Sequence, residues 1–70
     1  MEIAEAIRIT KGVAKQKRAF AATARAHPLA DERYMRHITA QADREAKAME
    51  AVCNKLTAIL AEREVNADGD

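Results

Sequence analysis

The 70-residue chain has no tryptophan, no serine, one phenylalanine, one tyrosine, one cysteine, one proline and two glycines. Each scarcity excludes something. A single cysteine rules out an internal disulfide framework and a cysteine-based zinc cluster. Absence of serine removes serine nucleophiles, and the two glycines, Gly12 and Gly69, are too far apart to make a phosphate-binding loop. Two aromatic rings leave little to stack on nucleic-acid bases. No apolar run approaches the length of a membrane span, and acidic Glu2 and Glu5 stand where a secretory leader carries basic residues. The sequence therefore predicts a protein of the reducing cytoplasm, neither exported by that route nor inserted in a membrane.

Alanine is abundant instead: it supplies 17 of the 34 hydrophobic residues. Glu, Lys, Arg and Gln make up much of the rest, and all of these favour helix. Leu, Ile, Val and Phe together number only 12, but the net charge of +1 lacks the excess that accompanies disorder. A core built from such small pieces in so short a chain is marginal alone, so a second copy or another partner is expected to cover it. Near-neutrality also excludes an acidic nucleic-acid mimic and a histone-like polycation.

Pro28 lies between two stretches with helical periodicity, in Ala26-His27-Pro28-Leu29-Ala30-Asp31. Proline pushes the preceding residue out of helical geometry and is tolerated in a first turn, while Asp31 and Glu32 suit a helix N-terminus. The prediction is an all-α chain: an αα-hairpin with helix 1 over residues 2–26, a bend at 27–30, helix 2 over 29–65, and a polar disordered tail at 66–70. In helix 2, Met35, Ile38, Ala42, Met49, Val52, Leu56 and Ile59 follow 3,4 spacing with Glu45 the one polar occupant, and Ala46, Cys53 and Leu60 widen the stripe. In helix 1, Ile3, Ile7, Ala14 and Ala21 point one way while Ile9, Val13 and Phe20 are rotated to one side, which implies two neighbours. Gly12 marks a position where helix 1 is open to a kink. Helix 2 is expected to outrun helix 1 by about ten residues, ~15 Å at the α-helical rise, leaving Leu56, Ile59 and Leu60 uncovered within one hairpin. A homodimeric four-helix bundle, or a higher helical oligomer, is the simplest remedy. That architecture resembles small plasmid RNA-binding proteins built as dimers of αα-hairpins in shape and size, with no shared motif.

The most coherent polar feature is a basic stripe on helix 1: Arg8, Lys11, Lys15, Arg18 and Arg25, all within about 100° of the helix circumference. Through residue 25 the chain carries a charge of +4, and from residue 26 onward −3. Such a stripe solvates a helix face, meets an acidic protein surface or second copy, or attracts phosphates. Glu45 needs a cationic partner, which Lys11 or Lys17 can supply. Tyr34 is expected to pack near the bend. Cys53 behaves as a small hydrophobe, and in a dimer it is placed to face its own copy. His27 and His37 lack the i,i+4 spacing of a helical metal pair, so no metal ligand, cofactor or catalytic residue is assigned. The function expected is that of a small non-enzymatic helical protein that regulates, inhibits or scaffolds a larger protein. Its interface is assigned to Ile9, Val13, Phe20, Val52, Leu56, Ile59 and Leu60, with nucleic-acid binding through the basic stripe as the alternative.

Overall fold

The computed structural model describes the backbone of residues 1–68 and the side chains of residues 1–64. Two helices, α1 (Ile3–Ala26) and α2 (Arg33–Asp68), pack against each other, and no strand occurs among the described residues. The predicted all-α hairpin is therefore the fold. Its boundaries differ from the expected ones in an instructive way. His27 takes the extended geometry that a following proline imposes, and its N–H closes α1 on the Ala24 carbonyl at 3.2 Å. Residues 28–32 then form turns rather than the first turn of α2: Ala30 N–H donates to His27 O and Glu32 N–H to Leu29 O, each at 3.0 Å, while His27 Nδ1 accepts from Leu29 N–H. Only at Glu32, whose carbonyl takes the Arg36 N–H at 2.9 Å, does α2 begin. Helix 2 thus starts at residue 33 rather than 29. At the other end it runs on to Asp68, three residues beyond the expected stop at 65, and the remainder of the predicted tail, residues 69–70, lies outside the described residues.

This late start, from 29 to 33, is about one helical turn and shifts the antiparallel register of the two helices. Cys53 Sγ lies 3.9 Å from the Ile7 carbonyl, so Leu56, Ile59 and Leu60 come level with the first turns of α1 instead of projecting past it, and all three are half-buried. The overhang begins after Leu60, and the uncovered-end argument for a partner no longer holds.

A stronger argument takes its place. The fully covered core of the hairpin consists of five alanines: Ala14, Ala21 and Ala24 on α1, with Ala42 and Ala46 on α2. Small side chains let the two helices approach closely, but among the described residues no large apolar side chain is buried out of solvent. The seam follows 4,3 spacing through Ile3, Ile7, Thr10, Ala14, Lys17, Ala21 and Ala24 on α1. On α2 it follows Thr39, Ala42, Ala46, Met49, Cys53 and Leu56. The centre of the α2 stripe is therefore rotated by one position from the expected one: Ala46 and Cys53 point at α1, whereas Val52 is 42% exposed on the flank. Seam hydroxyls are satisfied within their own helix, Thr10 on Ala6 O at 2.9 Å and Thr39 on Met35 O at 2.7 Å. Gly12 produces no break, since α1 is continuous through it.

Candidate interaction faces

The seam divides the surface into two long faces of opposite character. On one side, α1 presents Arg18 and Arg25 to Asp43 and Glu50 of α2. Arg18 donates from Nε and Nη2 to the two Glu50 carboxylate oxygens at 3.3 and 2.7 Å, a forked pair, and its Nη1 lies 3.6 Å from Asp43. Arg25 bridges the same Asp43 from one heptad away. Hydrogen bonding from Arg18, then its charge, holds the Glu50 carboxyl below the usual carboxylate range, and Glu50 in return raises the Arg18 guanidinium. Two of the five residues of the expected cationic stripe, Arg18 and Arg25, are thus matched within the chain by acidic residues that the helix register brings opposite them. Arg8, Lys11 and Lys15 form no ion pair among the described residues.

A groove of about 370 Å³ opens between the helices on this face, with Ala14 and Cys53 as floor, Lys11, Lys15 and Arg18 along one wall, and Glu50 and Asn54 along the other. Cys53 opens toward this polar face.

On the opposite side of the seam, α1 carries Ile9, Val13 and Phe20, and helical spacing puts Ile38, Glu45, Val52 and Ile59 on the matching edge of α2. Phe20 is 50% exposed and Ile9 44%. A second groove on this side is lined by Lys17, Phe20, Ile38, Gln41 and Glu45. Within it Lys17 Nζ meets Glu45 at 3.0 Å, so the partner expected for Glu45 is Lys17, although both groups remain partly solvated. Tyr34, expected to pack near the bend, is 72% exposed and extends this edge one turn before Ile38. Of the seven residues predicted as an interface, Ile9, Val13, Phe20, Val52 and Ile59 fall on this face; Leu56 and Leu60 belong to the intramolecular seam. The signal for that division was present in the sequence as a one-position offset within each stripe, and it becomes decisive only once the helix register is known.

No helix among the described residues is long and apolar enough to cross a membrane. His27 serves the bend through its Nδ1 and His37 is exposed; among the described residues no three His, Cys, Asp or Glu side chains gather at one point. Comparison with protein families, with curated proteins and with solved structures finds no match to this chain.

Proposed function

We propose that the chain is a non-enzymatic helical interaction protein that works as a twofold four-helix bundle and offers its outward polar faces to a larger protein. One observation carries this reading: among the described residues the buried core is alanine alone, while Ile9, Phe20 and Val52, large apolar side chains, stand exposed along one face. A second copy fits that face. The hairpin measures 58 × 17 × 14 Å, an elongated shape along whose side a second copy can lie. The face is also self-complementary in charge, since its polar pair, Lys17 and Glu45, contributes one charge of each sign per copy.

Charge reversal at that pair tests the reading. Lys17→Glu leaves two acids on the face and Glu45→Lys leaves two bases, so each variant alone should dissociate to the 7.7 kDa chain mass by light scattering. Mixed in equal amounts, the acidic face meets the basic one and the doubled mass returns. A native chain that stays at the single-chain mass across the accessible concentration range overturns the proposal.

A further inference from the structure

The polar face is balanced over one half and unbalanced over the other. Lys11, Arg18 and Arg25 recur every seven residues along α1, and α2 answers with a rail of the same period at positions 43, 50 and 57. Asp43 and Glu50 take up Arg25 and Arg18. At the third position the rail breaks: Thr57 stands where an acid would complete it, and its hydroxyl donates back to the Cys53 carbonyl at 2.8 Å. Lys11 is left without a cross-helix acid, and Arg8 and Lys15, beside it, pair with none among the described residues. Lys11 and Lys15 border the groove floored by Ala14 and Cys53, and Arg8 lies one helical turn before Lys11 on the same face of α1.

We infer that this groove docks an acidic helical segment of a protein partner. An apolar side chain of the segment sits on Ala14 and Cys53, and carboxylates one helical turn to either side meet Arg8, Lys11 and Lys15. The inference rests on the dimer reading above, because pairing through the apolar face is what turns this groove outward and presents it twice. Protein fits the groove better than nucleic acid for two reasons. An apolar floor between cations matches an amphipathic helix and has no counterpart in a phosphate backbone. Moreover, the two aromatic rings, Phe20 and Tyr34, lie across the seam on the other face and give no stacking platform here.

The experiment is fluorescence anisotropy with a labelled helical peptide carrying two leucines one heptad apart, each flanked by glutamates. Parallel titrations use the same peptide with every Glu replaced by Gln, and RNA and DNA duplexes. The mass of each protein variant is measured alongside. Two variants probe the groove: Lys11→Gln combined with Lys15→Gln, and Thr57→Glu, which completes the acidic rail and closes the site from within the chain. The acidic peptide should bind the native protein, and each of the three changes should weaken it by roughly tenfold or more while helicity and doubled mass are retained. Equal binding to native and variant proteins, or no binding up to roughly 0.1 mM by a protein of doubled mass, overturns the groove assignment and leaves the dimer reading standing. Tighter binding of either duplex than of the peptide overturns it in favour of nucleic acid. A native chain of single-chain mass removes the dimer reading itself.

Discussion

Replacing Phe20 with alanine tests the apolar face where the structure makes the largest claim. A fully buried aromatic side chain covers about 200 Å², and Phe20 is 50% exposed in the single hairpin, so about 100 Å² awaits a partner. At about 25 cal/mol per Å², its burial contributes roughly 2.5 kcal/mol per copy, of which alanine retains a small part. Two copies lose about 4 kcal/mol together, which weakens the dimer by roughly a thousandfold at 1.4 kcal/mol per decade. Alanine is the better helix former, so α1 itself is not harmed by the change. Sedimentation or light scattering through a dilution series reads the dissociation constant directly. Circular dichroism melts at several concentrations read it again, because a chain whose closed core is alanine should melt at a temperature that rises with its concentration. A dissociation constant within about threefold of native for Phe20→Ala, or a concentration-independent melt of the native chain, would refute the reasoning.

Two further outcomes are expected. Gly12 sits in the interior of α1 with open space around the position a Cβ would take, so Gly12→Ala should stabilise the protein by about 1 kcal/mol, seen as a melting temperature several degrees higher. Glu50 is held below the usual carboxylate range by the Arg18 hydrogen bonds. Its folded pKa lies below its unfolded one, so its stabilising contribution is present above the unfolded value and is lost as the pH falls through the folded one. The melting temperature should decline on acidification below about pH 4, and Arg18→Gln, which removes the cause of the shift, should flatten that part of the decline.

The two helices were legible from Pro28 and from apolar spacing, because both act through neighbours in sequence. The start of α2 was not. Pro28 is compatible with a first helical turn, and the alternative taken here depends on the 28–32 turns and the His27 Nδ1 acceptor, which no periodicity reveals. That displacement moved Leu56 and Leu60 from an expected overhang into the seam. Alanine was the harder residue to place: Ala21 and Ala24 are buried, whereas Ala19 and Ala22, equally good helix formers beside them, are exposed. The basic stripe was visible as a pattern, but its partial neutralisation is a property of register, since Arg18 meets residues 25 and 32 positions away. Offset edges at Ile9, Val13 and Phe20 gave the one advance sign of the apolar face.

The alanine seam bears on how the protein would be controlled. Alanine has no rotamers to lose, so closing the hairpin costs little side-chain entropy, and with little apolar area at stake its opening is correspondingly inexpensive. In the proposed dimer, folding and pairing would become one equilibrium, and the abundance of the chain would set the fraction that is structured at all. A cell could silence such a protein by dilution or proteolysis without any dedicated inhibitor, because the lone chain would be both its inactive form and its most readily degraded one.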